Sequence, residues 1–204
     1  MSMLRRGLRL SLTLAVTLAA APPAHAHLMN TGFGPFYDGL MHPFVTPEDL
    51  LPVVALTLLA GLRGARCGRW VLFTLPAAWL AGMTGGLVIV PHGSVAWLTC
   101  GLTIALGALV AADWKVPLPV VIGGAVLLGL THGWMNGAGL APAQSGALGM
   151  VGVASALFIV VALLAGPVVA LQAAWARVVV RVAGSWIAAI GLLMLGWTVR
   201  AAGG

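Results

Sequence analysis

The apolar positions of this chain fall into six runs, and most of the charged residues lie in the short segments between them. A helix needs about 17–25 residues to cross the hydrocarbon core of a bilayer. The first run is at the short end of this range, and the fifth is long enough to tilt. The pattern predicts six transmembrane helices, near residues 47–63, 70–90, 95–112, 117–134, 147–171 and 182–199.

A shorter apolar run at the N-terminus has the features of a secretory signal peptide. A stretch with three arginines precedes it, two prolines follow it, and residues 24–26 (Ala-His-Ala) fit the small-x-small cleavage rule. The prolines break the helix just before this site and favour cleavage over an uncleaved anchor. We therefore expect a signal peptide at residues 1–26 and a six-helix transmembrane domain at residues 27–204, with His27 as the mature N-terminus.

The composition supports an all-α, polytopic membrane protein. Of the 204 residues, 61% are hydrophobic and only 7% are charged, whereas soluble domains carry roughly 25% charged residues. The net charge of +6 does not indicate nucleic-acid binding, because the cations lie at the ends of apolar runs rather than on one amphipathic surface. The two cysteines, Cys67 and Cys100, form no CxxC pair and are not expected to form a disulfide.

The basic residues predict the orientation of the helices. With the mature N-terminus outside, the cytoplasmic loops carry six cations and the outer side only Arg200, which is a strong positive-inside bias. The six are Arg63, Arg66, Arg69, Lys115, Arg177 and Arg181. The protein is therefore expected in a bacterial inner membrane, with its N-terminus in the periplasm.

Polar side chains are sorted to one side of this predicted bundle. All the histidines after the signal peptide and three of the four acidic residues fall on the outer side or in the outer half of a helix. Only Asp113 is cytoplasmic. Imidazole and carboxylate together suit nickel, cobalt, zinc or copper, and ionisable groups near membrane depth are functional candidates. The outer residues are His27, His42, His92, His132, Asp38, Glu48 and Asp49.

Several of these residues also have a structural interpretation. Thr46 and Pro47 are typical of a helix start, and Asp49 would then be the third residue of a capping box, with Glu48 beside it in the first turn. Asp38 and His42 are four residues apart and would share one helical face, which is equally consistent with an exposed pair.

The histidines differ in what their positions favour. The depth of His132 in its helix favours a ligand over a hydrogen bond to a neighbouring carbonyl. His92 follows a proline in a short loop and is expected to be solvated. His27 would chelate through its amine and ring, although N-termini are usually mobile.

Methionines provide a copper alternative. Met29, Met41 and Met135 fall toward the outer side and Met83 lies at mid-membrane. Thioether with imidazole would favour copper, but scattered methionines in helices more often fill space, so this interpretation ranks second.

Three segments resemble the HupE/UreJ family of membrane proteins. Residues 39–51 are similar to its signature, in which a His-Pro is followed, after a five-residue gap from the His, by Asp-His and leucines. Residues 75–83 resemble its second helix, and residues 131–137 resemble its His-Gly-x-x-His-Gly element. The resemblance implies six helices after a signal and a secondary nickel or cobalt permease associated with hydrogenase or urease maturation.

The match to this signature is partial. His42 and His132 match it, and Glu48 is a conservative replacement of the family's Asp. Asp49 stands where the family has His, and Asn136 replaces the second His of the later element. These changes leave fewer imidazoles and more oxygen ligands, which alters the preference for a metal ion.

The leading hypothesis is a permease that captures a divalent metal ion, nickel or cobalt, on the periplasmic side. His42 and His132 would be ligands, the acidic residues would add charge and oxygens, and Asn136 a neutral oxygen. No tightly bound cofactor or ATP-binding motif is expected. The hydroxyls of four threonines would line a path or bond back to their own helices. These are Thr74, Thr84, Thr99 and Thr103.

Two other classes of function remain open. A non-transporting accessory protein for metalloenzyme maturation is favoured by the absence of acids and histidines deep in the bundle. A membrane enzyme is the weakest hypothesis, since no HExxH pair is present and nothing singles out a pairing of Ser94 or Ser155 with His132.

Overall fold

The computed structural model describes residues 31–89, 95–140, 146–171 and 173–202. Within these residues every regular element is an α-helix, and we number the seven helices in chain order. The all-α class predicted from the sequence is therefore confirmed, whereas the predicted signal peptide lies outside the described residues. The helices are α1 (Pro35–Val45), α2 (Pro47–Leu62), α3 (Ala65–Val88), α4 (Ala96–Ala111), α5 (Leu118–Leu140), α6 (Gly146–Val169) and α7 (Ala174–Ala202).

Each of the six apolar runs corresponds to one helix, from α2 to α7. Hydropathy underestimates three of them: α3 and α7 begin earlier than predicted, and α5 continues past residue 134 to Leu140. The extra turns of α3 and α7 contain arginines, because a helix can continue beyond the apolar part of its sequence. Helix α1 was not predicted, since it is short and carries polar residues.

Several of these helices are compatible with a multi-pass membrane protein. By length and composition α3, α5, α6 and α7 can each cross a membrane, and α1 with α2 meets the same test as a pair bent by 74°. Helix α4 is apolar but has only 16 residues, about 24 Å at 1.5 Å per residue. The count of six spans thus stays a prediction.

The bend between α1 and α2 follows from Pro47. A residue before proline is driven out of the helical region, and Thr46 has the extended dihedral angles φ −115° and ψ 85°. Helix α1 therefore ends at Val45, and α2 starts again with Pro47 as its first residue. The Thr46 hydroxyl donates a hydrogen bond to the His42 carbonyl at 2.8 Å, which satisfies one of the last carbonyls of α1.

Helix α2 occupies the centre of the bundle. It is apolar nearly all round, and Val53, Ala55, Leu56 and Ala60 are fully buried, as expected for a helix surrounded by others. The outer helices pack closely in pairs through glycine. Between α3 and α5, a Cβ added to Gly133 would lie only 2.2 Å from the Trp79 carbonyl oxygen. Small residues allow this approach where lipid removes the hydrophobic drive for association.

Charged residues from two loops and from the first turn of α7 meet at one end of the bundle, in what we call the Asp113 cluster (Arg63, Asp113 and Arg177). The Arg177 guanidinium donates to Asp113 Oδ2 at 2.7 Å, and Arg63 bonds the other oxygen. All three residues were predicted to lie on the cytoplasmic side of the membrane. Burial disfavours ionisation of Asp113, but the hydrogen bond from Arg177 and the charges of both arginines outweigh it and lower the pKa of this carboxyl.

Candidate metal-binding site

A buried carboxylate, Asp49, is the centre of a polar cluster at the opposite end of α2. The side chain lies in the first turn of α2 and the residue is 3% exposed. Its Oδ1 is 2.8 Å from His132 Nδ1, and its Oδ2 accepts a hydrogen bond from Asn136 Nδ2 at 2.9 Å. His42 Nε2 lies 3.4 Å from the same Oδ2. We call these four residues the Asp49 cluster.

Three helices bring the Asp49 cluster together. His42 is in the last turn of α1 and Asp49 in the first turn of α2, so the bend at Thr46 lets both side chains reach the same point. His132 and Asn136 are four residues apart on α5 and therefore share one face. The structure thus brings together His42 and His132, which the sequence analysis took as two ligands of one site; that role stays a prediction.

Each imidazole of the cluster keeps one nitrogen without a hydrogen bond. An ionised carboxylate only accepts hydrogen bonds, so Nδ1 of His132 carries the proton in its bond to Asp49. Nε2 of a neutral His132 then has a free lone pair, and this atom is buried without a hydrogen-bond partner. His42 Nε2 is likewise buried and has only the 3.4 Å contact with Asp49. Buried polar atoms are rarely left unpaired, so these nitrogens are candidate ligand atoms.

Trp79 of α3 forms one wall of the cluster. Its ring centroid is 5.5 Å from that of His132, the residue is fully buried, and its Nε1 has no hydrogen-bond partner. The close approach of α3 to α5 at Gly133 places the two rings side by side. Trp79 lies in the segment that resembles the family's second helix, and no sequence pattern assigned it a role. Its one-turn spacing from buried Leu75 and Met83 was a signal for the buried face of α3 but not for contact with His132.

The predicted capping box at the start of α2 is wrong. Thr46 occupies the N-cap position and Pro47 is the first helical residue, as predicted, but no side chain caps the helix. The Thr46 hydroxyl is used on the His42 carbonyl, and Asp49 points away from Thr46 toward α5. Glu48, which was expected to share the metal role, is exposed. Asp49, where the family signature has a histidine, is the buried acid.

Asp38 does not join the cluster, although it lies one turn from His42. Its Oδ1 accepts hydrogen bonds from the Thr31 amide and the Thr31 hydroxyl, both at 2.6 Å. The carboxylate thus fixes the segment that leads into α1. Of the other predicted outer residues, His27, His92 and Met29 lie outside the described residues.

Two alternatives from the sequence find no support in the described contacts. The Ser155 hydroxyl donates to the Val151 carbonyl of its own helix at 2.7 Å, rather than to His132, and Ser94 lies outside the described residues. For the copper alternative, Met41 and Met135 are each 40% exposed, and Met83 is buried in the core.

The side chains of the Asp49 cluster contact one another. In the described part of the chain, no three His, Cys, Asp or Glu side chains are arranged to hold a metal ion. The two oxygens of Asp49 instead contact the imidazole and amide groups around it. Such a carboxylate–imidazole contact is also the usual way of orienting a histidine whose other nitrogen binds a metal.

The apolar helices are those of an all-α chain compatible with a multi-pass membrane protein, and a buried imidazole–carboxylate cluster lies among them. The model of the family described as HupE / UreJ protein matches residues 14–194. The chain belongs to the HupE/UreJ family, as the sequence motifs predicted.

A curated relative covers nearly the whole chain. Protein HupE of Rhizobium leguminosarum bv. viciae is 33% identical over 192 residues, which cover 92% of this chain and 97% of the relative. No solved structure matches the chain. The family is associated with nickel or cobalt uptake or with accessory roles, and with hydrogenase and urease maturation.

Proposed function

We propose that this protein is a secondary transporter for a divalent transition-metal ion, nickel or cobalt, and that the Asp49 cluster captures the ion on the periplasmic side. The observation that carries the proposal is the pair of buried imidazole nitrogens, Nε2 of His42 and of His132, left without hydrogen bonds beside one buried carboxylate. Imidazole and carboxylate are the ligand types that suit these ions.

Each residue of the cluster has a distinct task in this proposal. Asp49 supplies the negative charge that attracts the cation, and it holds the His132 ring through Nδ1. The Nε2 lone pairs of His132 and His42 ligate the ion, and Asn136 holds the second oxygen of Asp49. His42 has the loosest contact of the cluster, at 3.4 Å, so its ring can exchange Asp49 for the metal ion with little loss.

The proposed ligands come from different helices, so binding of the metal ion is coupled to movement of these helices. His42 and Asp49 lie on either side of the bend at Thr46, while His132 and Asn136 come from α5. An ion bound between them pulls α5 toward the α1–α2 break, and release requires these helices to separate. A few residues at element ends commonly absorb such motions.

The structure also contains a barrier that a transporter must open. From Asp49 to Arg63 is 14 residues of sequence, about 21 Å of helix. The intervening face of α2 packs in an apolar core with Leu75, Trp79 and Leu128. The predicted path threonines do not bridge it: the hydroxyls of Thr84, Thr99 and Thr103 bond to carbonyls of their own helices. Transport therefore requires a second conformation.

This barrier is the observation that favours a second candidate function. A membrane accessory protein that holds a metal ion for a metalloenzyme maturation system needs the Asp49 cluster but no path through the bundle. Both functions use the same site at the periplasmic end, and both take the bilayer and the ion as partners. They differ in whether the ion reaches the other side.

Uptake by purified protein in liposomes separates these functions. Liposomes with the wild type should accumulate more ⁶³Ni²⁺ or ⁵⁷Co²⁺ than liposomes without protein, and Asp49→Asn should remove this uptake. Asp38→Asn is the matched control, because Asp38 is also an acid in the first turn of a helix but accepts its hydrogen bonds from Thr31.

Three outcomes are distinguishable in this experiment. Uptake lost in Asp49→Asn and kept in Asp38→Asn supports transport through the cluster. Binding without uptake in the wild type leaves the accessory function. Uptake that survives Asp49→Asn contradicts the proposal for the site. Running Cu⁺ and Zn²⁺ in parallel tests the copper alternative.

A further inference from the structure

A long groove lies between α3 and α5 on the lateral surface of the bundle. None of the residues that line it belongs to the Asp49 cluster. The groove has a volume of about 990 Å³ and is almost entirely apolar. Ala77, Ala78 and Ala81 line it beside Phe73 of α3, and Val126 and Leu130 of α5 also contribute. The lining runs from Arg66 to Ala81, about 22 Å along α3. This exceeds the roughly 15 Å that one leaflet contributes to the hydrocarbon core.

Two arginines stand at one end of this groove without anionic partners. Arg66 and Arg69 both line it, and both are exposed in the first turns of α3. The other arginines of this end are occupied: Arg63 and Arg177 bind Asp113, and Arg181 donates to the Ala111 carbonyl at 2.8 Å. No ion pair or side-chain hydrogen bond engages Arg66 or Arg69 within the described part of the chain.

We propose that the groove between α3 and α5 is a binding site for an anionic phospholipid of the cytoplasmic leaflet. Arg66 and Arg69 bind the phosphate of the headgroup, and one acyl chain lies along the alanines toward Leu130. The proposal depends on the chain lying in a membrane with its cations inside. It does not depend on the metal proposal.

Charge and shape together select this occupant. A basic pair at the cytoplasmic end of an apolar groove is the arrangement that recognises anionic headgroups between transmembrane helices. Trp70 lies one residue beyond Arg69 and is 51% exposed, which suits an aromatic side chain at headgroup level. A second protein helix would fill the apolar part but would leave both guanidinium groups unpaired.

Native mass spectrometry of the full chain in detergent tests this site. Phosphatidylglycerol should remain bound in preference to phosphatidylcholine with the same acyl chains. The double variant Arg66→Ala/Arg69→Ala should bind phosphatidylglycerol about thirtyfold more weakly, since each cation near an anionic lipid contributes about a fivefold change. Arg66→Lys/Arg69→Lys should keep most of the binding, because the charge is retained.

Two further variants make the test specific to the groove. Arg200→Ala removes an exposed cation at the far end of α7 and should change nothing. Ala81→Phe should displace the acyl chain and weaken binding without a change of charge. Equal affinity for the two lipids, or unchanged binding by the double alanine variant, would overturn the proposal. A dimer in the wild type that Ala81→Phe dissociates would also overturn it, since a second copy would then occupy the groove.

Discussion

Two aspartates lie near opposite ends of α2 and are held in different ways: Asp49 belongs to α2 itself, and Asp113 follows α4. Asp49 is nearly buried and is surrounded by two imidazoles and an amide, whereas Asp113 is partly exposed and is held by two guanidinium groups. Arginine stays charged and cannot bind a metal ion. Imidazole can be neutral, and it can then donate from one nitrogen to a carboxylate while the lone pair of the other nitrogen binds a cation. Asp113 therefore joins a loop to the start of α7, while Asp49 is part of a site in which a metal ion can exchange for a contact within the cluster.

The largest expected effect comes from exchanging each acid for its amide. Asp49→Asn should weaken nickel or cobalt binding at least a hundredfold, because the cluster loses its only carboxylate. Its unfolding temperature should change little, since an amide oxygen can still accept from His132. Isothermal titration and thermal unfolding in detergent measure the two effects.

Asp113→Asn should show the reverse pattern. Two arginines lose their counter-charge, and the free energy of unfolding should fall by about 1–2 kcal/mol, toward the surface range because Arg177 is 43% exposed. Metal affinity should stay within twofold of the wild type. If both variants lose stability and affinity together, the two acids do not have separate roles.

The next effect tests how α5 positions His132. Gly133→Ala places a Cβ 2.2 Å from the Trp79 carbonyl oxygen, so α3 and α5 must move apart, at a cost of about 1–3 kcal/mol. Metal affinity should fall with stability. Gly123→Ala is the matched control on the same helix, because its Cβ would meet open space and stability should be equal or higher. Equal losses in both variants would mean that close packing does not position the site.

A smaller effect is expected at Asn136. Asn136→Ala removes the amide that holds Asp49 Oδ2, and groups that orient ligands typically change metal affinity by about 10–100-fold. We expect the lower end, about tenfold, because His132 still holds the other oxygen. An affinity as low as that of Asp49→Asn would instead make Asn136 a ligand, as the sequence analysis first assigned it.

The smallest expected effect is a pH dependence at the Asp113 cluster. The pKa of Asp113 is lowered in the folded state, so its contribution to stability is present above the ordinary aspartate pKa and is lost as the pH falls through the folded value. The stability difference between wild type and Asp113→Asn should thus persist at neutral pH and shrink below about pH 4. Thermal unfolding across pH 3–7 measures it, and a constant difference would contradict the assignment.

Hydropathy predicted the helical core of this fold because the apolar runs are long and the charges lie between them. It missed α1, whose Asp38 and His42 reduce its apolar character. Imidazoles and acids on one side predicted the region of the candidate site. The pattern could not distinguish Glu48 from Asp49. Adjacent residues differ by about 100° around a helix, and the bend at Thr46 decides which of the two faces α5.

Other features depended on tertiary contacts that local sequence does not encode. The Thr46 hydroxyl has two local partners of similar merit. It could accept from a backbone N–H of the first turn of α2 or donate to the carbonyl of His42, and the bend selects the second. Trp79 meets His132 only because glycines let α3 and α5 approach. Arg63 and Arg177 are far from Asp113 in sequence, so their convergence required the helix order in space.

Nickel K-edge X-ray absorption of the loaded protein, with the affinity measured on the same samples, would show whether His42 and His132 bind the ion. We expect imidazole ligation in the wild type. In His42→Ala and in His132→Ala we expect a smaller imidazole signal and at least a hundredfold weaker binding, with both variants still folded. A wild-type spectrum without imidazole, or binding that is unchanged in both variants, would contradict the claim that the two unpaired imidazole nitrogens form the metal site.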